Sequence, residues 1–158
     1  MPPREAEPEV GNAYYPAHAR LLLESYRRLT GADLLPPESA SAEALYTAPF
    51  VVVSHCTDTD PKFTYANRTA QQVFEMPWAE IVGMPSRFSA EPLLREERQR
   101  LLDRVTRDGF IDDYCGIRIA KSGRRFHVRN ATVWNLIDEA GKVVGQAATF
   151  AEWQPVED

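Results

Sequence analysis

KFTYANRTAQQVF, residues 62–74, joins a short strand to a helix through a single asparagine. Phe63 and Tyr65 alternate with polar residues, and this alternation is typical of a half-buried strand. Asn67 is a good N-cap, because its side-chain oxygen can accept a hydrogen bond from an unpaired N–H group of the first helical turn. The next apolar residues fall at positions i, i+3 and i+4 of one helical stripe, namely Ala70, Val73 and Phe74. The stretch therefore predicts a strand, a cap and a helix in immediate succession.

The segments before this stretch predict one amphipathic helix and one strand. Leu22, Tyr26 and Leu29 form the apolar stripe of a helix over Pro16–Thr30. Phe50–Val53 is rich in β-branched valine, which favours a strand. The predicted domain organisation is a flexible N-terminal extension at 1–14, an N-terminal helical segment at 15–47 and a core at 48–154.

The segments after it predict a long helix followed by three strands. The helix begins near Ser89–Pro92 and ends at Gly109. Its core-facing positions are apolar: Leu94, Leu101, Leu102 and Val105. The strands are joined by short turns and cover Ile111–Ile119, Arg125–Leu136 and Lys142–Trp153. We therefore expect an α+β fold with an antiparallel sheet of about five strands, helices packed on it and an N-terminal amphipathic helix.

Length and composition predict one cytoplasmic domain without a nucleic-acid or membrane surface. The 158 residues carry a net charge of −5, whereas a nucleic-acid surface needs a basic stripe. The N-terminus lacks the apolar core of a signal peptide, and no stretch is long and apolar enough to span a membrane. Two cysteines, Cys56 and Cys115, are too few for a disulfide framework and indicate reduced thiols.

The strand Arg125–Leu136 predicts which face of the sheet is buried. Its even-numbered positions are the more apolar, so we expect them to face inward, although a bulge would shift this register. The odd-numbered positions still include Ala131 and Val133, so the outer face also needs a cover. The helix Pro16–Thr30 is one candidate for that cover, and a homodimer partner is the other.

The inner face is the predicted ligand site. On the even register Asn130 and Thr132 lie in an apolar interior, where polar groups must be hydrogen-bonded. They could orient a small ligand, or they could pair with the backbone or with each other. The predicted ligand-binding residues are Phe63, Tyr65, Asn130, Thr132 and Trp134.

No motif predicts a metal site or a catalytic residue. The run His55-Cys56-x-Asp58-x-Asp60 has suitable residue types, but adjacent strand residues point to opposite sides and cannot share a metal. The chain has no Gly-x-Ser-x-Gly elbow and no glycine-rich phosphate loop. We expect His18 at the surface of the first helix. The enzymatic alternative places Cys115, His127 or Arg118 in a cleft.

Seven short strings carry a resemblance to a known family. They are Ala48–His55, Phe63–Gln71, Pro85–Arg87, Gly109–Tyr114, Gly123–Phe126, Asn130–Leu136 and Gly145–Phe150. With these strings, the region from about Tyr15 to Trp153 resembles the MEKHLA domain family, a PAS-related group. The resemblance implies a PAS-like sheet with helices packed on it. The plant members carry the domain at the C-terminus of homeodomain–leucine-zipper transcription factors, which implies a regulatory sensing or interaction role.

The resemblance leaves the cofactor unknown. Light-sensing flavin domains of the wider PAS group use a reactive cysteine in an Asn-Cys-Arg-Phe context, which neither Cys56 nor Cys115 matches. Haem-binding members use a histidine on the long helix, and residues 91–109 contain none.

Three hypotheses follow for the function. The first is a non-enzymatic PAS-like sensory module that binds a small molecule or a protein partner. The second is an enzyme that acts on a small metabolite in the same pocket. The third is a pure dimerisation module that pairs through the Pro16–Thr30 helix.

Overall fold

The computed structural model of the chain describes residues 6–90 and 95–156. Its α-helices are α1 (Pro16–Thr30), α2 (Ala42–Tyr46), α3 (Arg68–Phe74), α4 (Trp78–Ile81) and α5 (Arg95–Asp108), with short 3₁₀ helices at Val10–Asn12 and Ser86–Ser89. Its strands are β1 (Val51–His55), β2 (Phe63–Ala66), β3 (Phe110–Ile119), β4 (Arg125–Ile137), β5 (Val143–Phe150) and β6 (Glu152–Pro155). The strands form one antiparallel sheet in the order β2-β1-β5-β4-β3, and β6 also pairs with β4. The predicted α+β fold is confirmed.

Some of the helix and domain boundaries predicted from the sequence fall at or beyond the ends of the described segments. The long helix does not begin at Ser89 or Ala90 as predicted, because Ser89 ends a 3₁₀ helix and Ala90 is extended. The rest of the predicted start and the position of Leu94 lie outside the described residues, as do residues 1–5 of the predicted N-terminal extension. Leu101, Leu102 and Val105 of α5 are buried, as predicted. In the part of the chain that the structure describes, no helix is long and apolar enough to cross a membrane.

The last predicted strand is two strands that share one partner. β5 pairs with the C-terminal half of β4 from Thr132 onward, and β6 pairs with its N-terminal half from Phe126 to Arg129. Between these halves Asn130 has a φ of 53°, in the left-handed region. A residue in this conformation interrupts the pleat of the strand, so side chains beyond it change face.

The face of β4 is therefore predicted correctly only up to this interruption. Phe126 and Val128 pack with α3 in the inner core, the buried cluster between the inner face of the sheet and helices α3 and α4. Past Asn130 the inward positions are odd-numbered, and Val133 packs against Leu101 and Val105 of α5. Trp134 and Leu136 lie on the outer face of the sheet and pack with α1 in a second buried cluster, the outer core. The prediction that Thr132 and Trp134 share the inner face with Phe126 is wrong, because the strand shifts its register at Asn130.

We expect Asn130→Leu to destabilise the protein by about 1–2 kcal/mol, because in the left-handed region Cβ lies too close to the following carbonyl oxygen and leucine lacks the polar side chain that makes this conformation tolerable for asparagine. Asn130→Gly serves as the control, since glycine adopts this conformation without strain. Both variants lose the hydrogen bond of 2.8 Å from Asn130 Nδ2 to Glu152 Oε2, so their difference isolates the backbone effect. Urea unfolding measures the free energy of unfolding of both variants. Equal stability of the two variants would contradict a left-handed residue at this position.

A second irregularity separates Phe63 from Tyr65. Ser54 of β1 pairs with Tyr65, whereas the next residue, His55, pairs with Phe63, so β2 carries one extra residue there. Phe63 consequently packs in the inner core and Tyr65 in the outer one. The prediction of a half-buried strand is wrong, because all of β2 is buried between layers on both faces.

Asn67 caps α3, as predicted, and also connects two other segments. Its Oδ1 accepts hydrogen bonds of 3.0 Å from the N–H groups of Ala70 and of Val52. Its Nδ2 donates to the carbonyl oxygens of Leu45 at 3.2 Å and Phe50 at 2.8 Å. The side chain is fully buried, so one amide satisfies backbone groups of α2, α3 and the start of β1.

The outer face of the sheet is covered by α1, which confirms one of the two covers considered. Ala19 and Leu22 are buried against the outer core, and Tyr26 makes an edge contact with Trp134 at 5.0 Å between ring centroids. His18 is buried rather than exposed, and its Nε2 lies 2.9 Å from the hydroxyl of Ser54. The apolar stripe that could have formed a dimer interface is thus used within the chain.

Candidate functional site

A cavity of about 50 Å³ lies between the inner face of the sheet and α5. Its wall is mainly apolar, with contributions from β1, β2, α3, α5, β4 and β5. The apolar lining residues are Val53, Phe63, Phe74, Leu101, Leu102, Val128, Ala131, Val133, Ala147, Ala148 and Phe150. Small-molecule pockets usually measure about 300–1,000 Å³, so side chains already fill most of this interior.

The polar lining of the cavity is positively charged. His55, Ser89, Tyr114, Arg118 and Gln146 contribute the polar groups, and none of the described lining residues is an aspartate or a glutamate. A mostly apolar wall with a few polar groups is the usual composition of a small-molecule site. Any charged ligand of this cavity would therefore meet a cation and, among the described lining residues, no competing carboxylate.

The cation of the cavity wall is the guanidinium of Arg118, on the edge strand β3. Its guanidinium lies 5.5 Å from the centroid of the Tyr114 ring, and it has no hydrogen bond or ion pair with another described residue. Burial lowers the pKa of the Arg118 guanidinium, and the interaction with Tyr114 acts in the opposite direction. Arginine stays protonated in proteins, so the site keeps its positive charge.

Gly116 explains how Tyr114 and Arg118 come together. Tyr114, Gly116 and Arg118 alternate along β3, so they share one face of the strand. A Cβ at position 116 would collide with the ring and the hydroxyl of Tyr114. The missing side chain of Gly116 leaves the space into which the Tyr114 ring folds, under the Arg118 guanidinium.

Gln146 closes one end of the cavity and ties α5 to the sheet. Its Nε2 lies 3.3 Å from the carbonyl oxygen of Leu102, 3.0 Å from Thr106 Oγ1 and 3.1 Å from Asn135 Oδ1. Asn135 Nδ2 in turn donates to the carbonyl oxygen of Val105 at 3.0 Å. An open cleft beside the β1–β2 turn shares His55, Leu102 and Gln146 with the cavity, so these residues separate the cavity from solvent.

The structure divides the predicted site residues between different surroundings. Phe63 lines the cavity. Tyr65 and Trp134 are buried in the outer core under α1, and Thr132 precedes Trp134 on the shifted register. Asn130 is exposed and bonded to Glu152. Of the five residues, only Phe63 is among the described residues that line this cavity.

Sequence reasoning missed the polar lining of the cavity. The sequence places Arg118 only in the cleft of the enzymatic alternative, and Tyr114 and Gln146 are not among the predicted site residues. The spacing of Tyr114, Gly116 and Arg118 at every second position of a strand is a signal that could have placed them together.

The residues of the enzymatic alternative are not assembled into one site. Cys115 is exposed, and it has no hydrogen bond to His127 in the described parts of the chain. Tyr114 and Arg118 face the cavity, so Cys115 between them faces away from it. Residues 6–90 and 95–156 also contain no group of three or more His, Cys, Asp or Glu side chains that could hold a metal ion.

The outer core contains two polar groups without hydrogen-bond partners among the described residues. They are the hydroxyl of Tyr65 and Nε1 of Trp134. Burial raises the pKa of the Tyr65 phenol. The two residues lie on strands separated by β1 and β5, so they do not form one site.

Solved structures with a similar fold share little sequence with this chain. The PAS domain of a protein from Colwellia psychrerythraea has a TM-score of 0.59 and 14% identity, covering 73% of this chain and 92% of its own. The fungal blue-light photoreceptor Vivid, in its light-state dimer, has a TM-score of 0.61 and 16% identity, covering 85% and 93%. A light-oxygen-voltage domain studied with a flavin analogue has a TM-score of 0.53 and 21% identity, covering 74% and 84%.

These similarities establish the PAS-like fold alone. A flavin does not fit the cavity described above: about 150 Å³ holds a single benzene ring, and a flavin has three fused rings. A comparison with curated proteins finds no match in sequence. The family model of the MEKHLA domain matches residues 16–155, from the start of α1 to the end of β6. The chain therefore belongs to the MEKHLA domain family.

Proposed function

We propose that this chain is a non-enzymatic sensory module that binds a small molecule in the cavity between the sheet and α5. The observation that carries the proposal is the wall of that cavity, which is apolar except for a few polar groups and the cation of Arg118, which has no ion-pair partner among the described residues. The Arg118 side chain is half-buried, and partial burial of a charge is costly unless a partner compensates it. A bound ligand would supply that partner.

The contacts of α5 suggest how occupancy of the cavity would change the protein. Leu101 and Leu102 form one side of the cavity, and Gln146 and Asn135 hold the same helix to the sheet. A ligand that fits only one arrangement of α5 would shift the population toward that arrangement. In this proposal α5 is the element that reports the ligand to a partner protein.

Ligand binding in the cavity is tested by thermal unfolding with a panel of neutral, anionic and cationic molecules of about two to six non-hydrogen atoms. We expect at least one of them to raise the melting temperature by about 5–10 °C at about one hundred times its dissociation constant. Ala131→Val adds two methyl groups at the cavity wall and should abolish this rise. Ala120→Val adds the same volume in the same core layer but outside the cavity, and should keep it.

Two outcomes would contradict the proposal. One is a panel in which no molecule stabilises the wild-type protein. The other is a stabilising molecule that acts equally on wild type and on Ala131→Val. Both valine variants overpack the core by a similar amount, so loss of stability alone does not distinguish them.

A further inference from the structure

We infer that the ligand of this cavity is a short-chain monocarboxylate whose carboxylate binds Arg118. This inference rests on the proposed function and names the chemical class of the ligand. Three features of the cavity support it: its charge, its size and the apolar character of its wall.

The charge of the lining selects an anion. Arg118 has no carboxylate partner in residues 6–90 or 95–156, and none of the described lining residues is acidic. The guanidinium presents two parallel N–H donors, and a carboxylate presents two oxygens at the matching spacing. A cationic ligand would be repelled, and a neutral ligand would leave the guanidinium without a counter-charge.

The size of the cavity limits the ligand to a few atoms. A cavity of about 150 Å³ holds benzene, so about 50 Å³ suits about two to four non-hydrogen atoms. Formate and acetate fall within this range. Butyrate exceeds it unless side chains move.

The apolar wall distinguishes a carboxylate from an inorganic anion. Apart from the cation, the ligand would meet mainly leucine, valine and phenylalanine side chains, including Leu101, Val133 and Phe150. A methyl group gains free energy in such surroundings, whereas an anion that is polar all round loses hydration there. Acetate therefore matches both the cation and the apolar wall, whereas nitrate matches only the cation.

Tyr114 acts as a positioning residue for this contact. Its ring lies under the Arg118 guanidinium, 5.5 Å from ring centroid to the central carbon, and this contact restricts the positions that the cation can take. The absence of a side chain at Gly116 allows this arrangement. A displaced Tyr114 would leave the charge in place but change the direction in which its N–H groups point.

The test is an NMR titration of the full chain with acetate, acetamide, nitrate and butyrate, followed at the backbone amides of β3 and β4. We expect acetate to bind at least about tenfold more tightly than acetamide, because the neutral amide lacks the charge-assisted bonds. Acetate should also bind more tightly than nitrate and butyrate. Arg118→Met should weaken acetate binding at least about tenfold. Arg118→Lys should weaken it less, because lysine keeps the positive charge but lacks the two parallel N–H donors of the guanidinium.

Arg129→Met is the matched control, since Arg129 is an exposed arginine on the adjacent strand β4. It should bind acetate as the wild type does. Arg118→Met should remain folded, because methionine fills a similar volume without a charge to solvate. A midpoint of urea unfolding no lower than that of the wild type checks this point.

The outcomes separate the ligand class from the proposed function. If acetamide or another neutral molecule binds in the cavity as tightly as acetate, the carboxylate inference fails and the sensory proposal stands. Nitrate or butyrate binding more tightly than acetate would also overturn the inference. If Arg118→Met binds acetate as the wild type does, Arg118 is not the anchor. If no molecule of any charge binds in the cavity, both the carboxylate inference and the proposed function fail.

Discussion

Asn67→Ala should destabilise the protein by about 3–5 kcal/mol, because it removes one cap and the side-chain hydrogen bonds of three further backbone groups. Loss of an N-cap alone costs about 1 kcal/mol. Here the N–H of Val52 and the carbonyl groups of Leu45 and Phe50 also lose their bonds to the side chain. Each buried group left unpaired costs about 1–3 kcal/mol. Such a change is a large fraction of the stability of an ordinary domain.

Ser41→Ala is the matched control for this prediction. Ser41 caps α2 through one bond of 3.0 Å from the N–H of Ala44, and it is exposed. Its loss should cost about 1 kcal/mol or less. Urea unfolding of both variants measures the difference. If Asn67→Ala proves no more destabilising than Ser41→Ala, Asn67 is only a cap and does not connect α2, β1 and α3.

Leu22→Ala should destabilise the protein by about 2–5 kcal/mol, because Leu22 fills the contact between α1 and the outer face of the sheet. The side chain is fully buried and packs in the cluster that contains Trp134 and Leu136. Truncation removes apolar contact area and leaves a cavity that the rigid sheet cannot close. Thermal or urea unfolding, monitored by tryptophan fluorescence, measures the effect.

Leu23→Ala is the neighbouring control on the same helix. Leu23 is only half-buried, so its truncation should cost clearly less than that of Leu22. If the midpoint of urea unfolding of Leu22→Ala equals that of the wild type, α1 does not contribute to the stability of the domain. In that case the outer face of the sheet would have to be covered by something other than α1.

Local sequence signals predicted the elements of the fold but not their exact faces. The cap at Asn67 and the stripe of α3 are decided by residues within one helical turn, so the sequence alone reveals them. The faces of β2 and β4 depend on one extra residue in β2 and on the left-handed Asn130. Alternation of residue types assumes an uninterrupted pleat, and each irregularity reverses the alternation beyond it.

The candidate site was harder to predict than the fold, because a cavity is the space that packing leaves empty. The predicted site residues Asn130 and Thr132 are the polar groups of an otherwise apolar strand face in the uninterrupted register, and the shift at Asn130 takes both out of the inner layer. The sequence places Arg118 only in the cleft of the enzymatic alternative, and a long cationic side chain on an edge strand usually points to solvent. Its inward direction depends on Tyr114 and on the space at Gly116, which are packing relations rather than sequence patterns.

Mapping the site of ligand binding by two-dimensional NMR tests the central claim most directly. The wild-type protein is titrated with each stabilising molecule of the panel, and the change of every backbone amide is recorded. If the cavity is the ligand site, the largest changes will cluster at Val128, Ala131 and Val133 on β4 and at Leu101 and Leu102 on α5. Changes confined to the outer face around Trp134, or no change with any molecule, would contradict ligand binding in the cavity.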